Sequence, residues 1–385
     1  MKIPFNKPNM PNDLNSIISN SVKDGWLTTG SQVYNFEKQL GKYLNAKHVV
    51  AVNSCTAALH LSLLAKGFSK GHKFIVPSFT FVSTIECGEY IGMEPVIVDT
   101  EKNGFLIDLN QLEDIVKKDK SVKAILPVHY GGEAVDLSFL WHLADKYDLF
   151  ILEDAAHALE TKFNNKIKIG NTDHAAAFSF YANKNITTCG EGGALATNNT
   201  NLAEKARKLS LHGITKDGWN RFKTNGNWEY DITELGHKYN LTDLAASFGL
   251  WQMNFINEWQ VRRSELVKQY QKGLEKIDGI VLPKILKGHA KHLYVIKLIN
   301  EKWTIDRNRF IKLMNERGIG LAVHYKPINQ LSYYINRYNI KYHNFPNSNS
   351  LFNSIVTLPL YPKMQNSDID YICTSIYTIY KEHKN

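Results

Sequence analysis

The chain has 385 residues and a formal net charge of +9, with 43% hydrophobic and 22% charged residues. That length buries a large core and exceeds one ordinary domain, and the composition is that of a soluble globular protein with no run near the roughly 18 apolar residues of a membrane span. The opening Met-Lys-Ile-Pro-Phe-Asn-Lys-Pro lacks a signal-peptide core, and the lysines that supply the charge form no basic helix or aromatic–basic pattern, so the expectation is a cytoplasmic protein that binds neither nucleic acid nor membrane.

An extended arm and a polar helix (Pro11–Asp24) lead to the turn Gly25-Trp-Leu-Thr-Thr-Gly30, and helical periodicity runs from Val33 to Leu44. A short apolar strand, Val49–Val52, breaks at Asn53-Ser-Cys-Thr56, and Ala57–Ala65 reads as a helix. Strand, small polar residues, then helix leaves free backbone N–H groups at a positive helix end, which suits a phosphate, although Ser and Thr also cap helices that bind nothing. Strands at Lys73–Val76, Pro95–Asp99, Ala124–His129 and Leu149–Asp154 then alternate with helices such as Leu109–Lys118 and Leu137–Tyr147. Strands that are apolar throughout and joined by helical crossovers imply a mainly parallel α/β sheet covered on both faces, with ligands beyond the carboxyl ends of its strands.

An apolar strand at Ala175–Phe180 ends in a polar turn presenting Lys184, followed by the hairpin Gly190-Glu-Gly-Gly193 and a strand at Ala194–Thr197. After a polar, aromatic stretch (His212–Tyr230), a long helix is expected from Asp243 to about Glu258 and another over Arg262–Leu274. Strands near Leu293–Leu298 and Leu321–His324 and helices at Arg307–Arg317 and Ser367–His383 describe a smaller α+β unit. The expected division is a large α/β domain over residues 1–250 and a small one over 251–385.

The chemistry starts from Lys184. Lysines are ordinarily solvated surface charges, but one held among small and apolar residues loses part of its charge and gains nucleophilicity toward carbonyls. Asp154 ends a strand, and a buried carboxylate needs a partner; a protonated pyridine nitrogen is one, and holding that proton makes a pyridoxal ring an electron sink. His157, three residues on, either meets a cofactor oxygen or satisfies the core. The four cysteines, Cys55, Cys87, Cys189 and Cys373, are far apart and form no Cys-x-x-Cys pair, which argues against a zinc site or a disulfide framework.

These blocks, together with Pro77-Ser-Phe-Thr-Phe-Val-Ser-Thr84, Pro127-Val-His-Tyr-Gly131, Glu153-Asp-Ala-Ala-His157 and Lys238-Tyr-Asn-Leu-Thr-Asp243, make the whole chain resemble the pyridoxal phosphate-dependent nucleotide-sugar aminotransferases of fold type I, the family of DegT and StrS. The resemblance implies an aspartate aminotransferase-like fold with a large, mainly parallel seven-stranded sheet and a smaller α+β domain. It implies that Lys184 forms the Schiff base with the cofactor and shuttles the proton, that Asp154 holds the ring nitrogen, and that His157 sits by the phenolic oxygen. Phe81 would stack on the ring, and Ser179 with the backbone of Cys55 and Thr56 would bind the phosphate. Asn240 would reach the phosphate in a neighbouring subunit, which implies a homodimer with shared sites. Relatives that dehydrate carry histidine at the position of Lys184, so transamination is expected, with L-glutamate as donor. The block Lys238-Tyr-Asn-Leu-Thr resembles members that aminate carbon 4, and His212–Arg221 resembles enzymes making UDP-4-amino-4-deoxy-L-arabinose, although Phe81 stands where those have tryptophan. Arg221, Lys238 and His324 are the candidates for the substrate's diphosphate, and surface-glycan synthesis is the expected setting.

Two other readings compete. A Rossmann oxidoreductase would need Gly-x-Gly-x-x-Gly after an early strand, and Asn53-Ser-Cys-Thr56 stands there instead. A non-catalytic protein that binds the cofactor or a nucleotide sugar would have no use for the Lys184–Asp154 pair.

Overall fold

A computed structural model describes residues 2–23, 25–215 and 229–385. Its largest element is a seven-stranded sheet in the order β1-β9-β8-β5-β4-β2-β3. The strands are β1 (His48–Val52), β2 (Lys73–Pro77), β3 (Glu94–Val98), β4 (Val122–Ile125), β5 (Phe150–Asp154), β8 (Ala175–Ser179) and β9 (Gly193–Thr197). The two short strands β6 (Lys162–Phe163) and β7 (Ile167–Lys168) form a separate hairpin. Neighbours pair in parallel from β8 through β5, β4 and β2 to β3, while β9 lies antiparallel between β1 and β8. The mainly parallel α/β sheet expected from the alternating pattern is therefore present.

Each strand feeds two cores, because successive side chains leave opposite faces. Val49, Ala51, Ile75, Ile125, Ile151, Ala176 and Phe178 join one cluster with α2 (Ser31–Leu44), α5 (Leu112–Lys118), α6 (Leu137–Tyr147) and α8 (Asp243–Met253). Val50, Val52, Phe74, Val76, Leu152, Ala175 and Ala177 join the other with α3 (Cys55–Lys66), α4 (Ser83–Glu89) and α7 (Thr200–Leu209). Burial on both faces is why these strands read as unbroken apolar runs. The polar helix expected over Pro11–Asp24 is α1 (Leu14–Val22), and it buries no residue.

A third apolar cluster gathers residues of α9 (Ile256–Leu274), α10 (Arg307–Glu316) and α11 (Asn366–His383) around a three-stranded sheet, β10 (Ile280–Val281), β11 (Tyr294–Leu298) and β12 (Ile355–Leu358). Ile3 of the N-terminal arm is part of it, bridged to Ile319.

Three expectations are corrected here. The helix from Asp243 stops at Met253, and the next begins at Ile256 rather than Arg262. Ala246 and Met253 serve the first core of the large sheet whereas Leu266, Tyr270 and Leu274 serve the cluster around the small sheet, so one straight helix cannot serve both. Residues 321–324 form no strand beyond a bridge from Ala322 to Thr357. The backbone there is claimed from elsewhere: Tyr130 donates its hydroxyl to the His324 carbonyl, and the N–H of Gly320, just before the segment, donates to the Ile3 carbonyl. The strand that fills the small sheet is Ile355–Leu358, which the sequence reading passed over.

Candidate active site

The carboxyl ends of β1, β5 and β8 open on one cleft of about 390 Å³. Cys55, Thr56, Phe81, Asp154, His157, Ser179, Lys184 and His324 all line it. Lys238 and Asn240 do not. Their segment runs beside the end of β1, where Asn53 N–H donates to the Tyr239 carbonyl, and there Lys238 Nζ donates to Asn240 Oδ1 at 2.7 Å. Asn240 Nδ2 donates to Thr29 at 2.8 Å. Arg221 lies outside the described residues. Among the described residues lining the cleft, Lys184 is the sole lysine or arginine.

The start of α3 provides an anion cradle. Ser54 caps the helix, its hydroxyl accepting from Ala57 N–H at 3.0 Å and its carbonyl from Ala58 N–H at 3.2 Å. The N–H groups of Cys55 and Thr56 precede the first helical bond and remain as the donors of the positive end. Gly193 of β9 runs so close beneath that a Cβ there would lie 2.5 Å from Cys55 N. The glycine is a requirement of close approach.

Asp154 is buried at the end of β5. Its Oδ2 accepts from the Thr84 hydroxyl at 2.7 Å and its Oδ1 from Ala156 N–H at 3.1 Å. Since Thr84 spends its one hydrogen on the carboxylate, Thr80 must be the donor in the 2.8 Å contact between the two threonines. Burial pushes the Asp154 pKa up, opposed by the Thr84 and Ala156 hydrogen bonds and by the charge of Lys184.

Lys184 sits in the turn after β8, its N–H bonded to the Tyr181 carbonyl at 2.9 Å. Burial lowers its pKa to about 8 against the attraction of Cys55 and Asp154. The turn is pinned by its neighbours. Asn185 is buried and donates to Glu160 at 2.6 Å while its Oδ1 meets His292 Nδ1 at 2.9 Å. Thr187 exchanges two bonds with Gln252, its N–H donating to Oε1 and its carbonyl accepting from Nε2.

His157 receives Gly131 N–H on Nδ1 at 3.2 Å, and its Nε2 lies 2.8 Å from the Tyr325 hydroxyl. Burial holds its pKa well below the usual range, reinforced by Lys184 and by His292 and His324. His324, with Nδ1 2.9 Å from Thr357 Oγ1, falls to about 4 through burial and Lys184. Phe81 is half exposed at the rim, its ring 5.6 Å from that of Tyr325. Sequence reasoning missed Tyr325 and Thr84 as individuals. Thr84 sits inside a block already singled out, and Tyr325 directly follows His324.

Pyridoxal 5'-phosphate fits this donor set. A nucleophilic amine at Lys184, a buried carboxylate at Asp154 and a helix start with free N–H groups answer its aldehyde, ring nitrogen and phosphate. No group of three or more metal-ligating side chains occurs among the described residues.

Comparison with known proteins agrees. Residues 8–377 match the DegT/DnrJ/EryC1/StrS aminotransferase family. The chain is 39% identical over 382 residues to the spore coat polysaccharide biosynthesis protein SpsC of Bacillus subtilis (strain 168), covering 98% of this chain and 97% of that one. Among solved structures it is similar to Spr1654 of Streptococcus pneumoniae in its PMP form, with a TM-score of 0.91, 30% identity and coverage of 99% and 100%. It is also similar to Helicobacter pylori PseC, an aminotransferase involved in the biosynthesis of pseudoaminic acid, with a TM-score of 0.90, 26% identity and coverage of 99% and 100%. An amine, a carboxylate and an anion cradle gathered at the carboxyl end of a mainly parallel sheet are what a transfer of amino groups requires, and the chain belongs to the DegT/DnrJ/EryC1/StrS aminotransferase family.

Proposed function

We propose that the protein transfers the amino group of L-glutamate to carbon 4 of a nucleotide-linked 4-keto sugar, giving a 4-amino-4-deoxy sugar nucleotide for a surface glycan. The observation that carries this reading is the convergence of Lys184, Asp154 and the start of α3 on one cleft. The names of two similar proteins, one of spore coat polysaccharide biosynthesis and one of pseudoaminic acid biosynthesis, support the glycan setting. The block Lys238–Asp243 and the histidine-led block from His212 support carbon 4 and a UDP-linked pentose or a UDP- or GDP-linked 6-deoxyhexose.

The bound cofactor supplies an electron sink for the carbon that loses or gains a proton. Asp154 would hold the proton on the ring nitrogen. Ser179 and the N–H groups of Cys55 and Thr56 would take the phosphate, and Phe81 would cover the ring. Lys184 would hold the cofactor's aldehyde carbon, and as a free amine, with its pKa lowered to about 8 by burial, it would be the group placed to take and return the proton at the substrate carbon. His324 lines the cleft but stays neutral, its pKa held to about 4 by burial and Lys184. With no second lysine or arginine among the described residues of the cleft, the diphosphate would draw its cations from Arg221 and from Lys238, the latter supplied by a second copy in a cytoplasmic homodimer. Asn240 reaches the neighbouring phosphate in that assembly.

The test is the visible spectrum of the purified protein with pyridoxal phosphate before and after glutamate, followed by a panel of UDP-, GDP- and dTDP-linked 4-keto sugars. Loss of the long-wavelength band with glutamate, and amino-sugar product from one member, is the expected result. A protein that ignores the cofactor, or that is reduced by glutamate but aminates nothing in the panel, refutes the assignment at the corresponding step.

A further inference from the structure

The hydrogen-bond arithmetic around His157 determines where its proton lies. Gly131 offers a backbone N–H to Nδ1 at 3.2 Å, so Nδ1 is the acceptor nitrogen. The ring is buried and stays neutral, hence its one hydrogen is on Nε2. That nitrogen lies 2.8 Å from Tyr325 Oη, so the imidazole donates and the phenol accepts. Both ring nitrogens are then spent, and His157 has nothing left to offer a ligand. Tyr325, by contrast, keeps its own hydroxyl hydrogen, and it lines the cleft. A hydroxyl that already accepts one hydrogen bond is polarised into a better donor.

The order of groups along the sheet indicates what that hydrogen meets. The anion cradle follows β1, and Ser179 ends β8; Asp154 ends β5; Gly131 follows β4, and His157 and Tyr325 gather beside it. In pyridoxal phosphate the phosphate arm and the phenolic oxygen flank the aldehyde on opposite sides of the ring. With the phosphate at the β1 side, the phenolic oxygen faces the β4 side.

We propose that Tyr325 is a further catalytic residue of this site, whose hydroxyl, oriented by His157, donates the hydrogen bond to the phenolic oxygen of the cofactor, while His157 acts through it as a positioning residue. The inference rests on the cofactor reading above. His157 is thereby an aligner of the phenol, and the side of the site that meets the cofactor oxygen belongs to the segment after residue 320. His324 is anchored apart from this pair: its Nδ1 meets Thr357 Oγ1, and its carbonyl takes the Tyr130 hydroxyl.

The experiment is an equilibrium titration of the apoprotein with pyridoxal phosphate and with its 3-deoxy analogue, which lacks only the phenolic oxygen, followed by absorbance, for the wild type and Tyr325→Phe. The variant should bind pyridoxal phosphate roughly 10-fold more weakly and the deoxy analogue as tightly as the wild type does. Equal weakening with both ligands, or none with either, overturns the proposal. A crystal structure of the wild-type holoprotein decides the case even if the variant does not fold. Tyr325 Oη within hydrogen-bond distance of the phenolic oxygen supports the assignment, and His157 Nε2 in that place refutes it. A wild type that binds neither ligand refutes the cofactor reading instead.

Discussion

Asn185 offers the sharpest test of how the lysine turn is held. Its amide bridges two buried groups, donating to Glu160 at 2.6 Å and accepting from His292 Nδ1 at 2.9 Å. Asn185→Ala takes the side-chain donor from Glu160, which keeps only its own backbone N–H and the charges of Arg263 and Lys168, and takes the acceptor from His292 Nδ1. An unpaired buried polar group costs about 1–3 kcal/mol, and more where it carries charge, so the variant should lose about 3–5 kcal/mol. That is a large part of the ~5–15 kcal/mol that keeps a typical protein folded. The assay is urea unfolding followed by circular dichroism. With a slope of roughly 3 kcal/mol per molar, a loss of about 4 kcal/mol moves the midpoint down by roughly 1 M. Glu160→Gln is the control. Its amide oxygen still accepts from Asn185, and the midpoint should move by less than about a third as much. A midpoint in Asn185→Ala within about 0.2 M of the wild type would show that the amide does not span these groups, and the account of the pinned turn would be wrong.

Other outcomes follow from the same geometry. Only the unprotonated amine attacks an aldehyde, so capture of pyridoxal phosphate by the apoprotein should rise with pH around the Lys184 value of about 8 and level off above it; stopped-flow absorbance still climbing steeply near 10.5, the value of a solvated lysine, would contradict the burial argument. Lys184→Ala should abolish the covalent band and glutamate turnover while leaving the circular dichroism unchanged. Thr84→Val removes the 2.7 Å donor to Asp154, which raises the carboxyl pKa further and weakens its hold on a ring N–H; cofactor affinity measured by absorbance titration should fall about 10-fold. Gly193→Ala places a Cβ 2.3 Å from the Ser54 carbonyl carbon. Backbone must move at the phosphate cradle, and calorimetry should record a lower melting temperature together with lost phosphate affinity.

Much of this protein was legible in its sequence, and the legible parts are local. The break from β1 into α3 was visible because an apolar run, a serine cap and a helix start are neighbours in the chain, and the cap is as expected: Ser54 accepts from Ala57. Lys184, Asp154, His157 and Ser179 were placed near one another by the rule that parallel strands end at a common edge, and the cleft there contains all four. Partner choice across the fold was not legible. Asn185 and His292 are 107 positions apart, and His157 and Tyr325 are 168 apart; no periodicity encodes which buried donor meets which acceptor. The break at Asn254–Phe255 was hidden for a related reason, because each half of the helical pattern is regular and only the two separate cores show that the halves must diverge. Lys238 and Asn240 sit beside β1 and outside their own cleft, a fact that depends on the path of the chain rather than on residue type. Sequence alone thus determined the layers, most of the large sheet's strands and the lysine in the turn after β8, since these follow from short-range patterning; the strand expected over Ala124–His129 ends at Ile125. Tertiary packing decided which hydrogen the buried groups of the site spend and on whom, since burial removes the water that would otherwise serve as their partner.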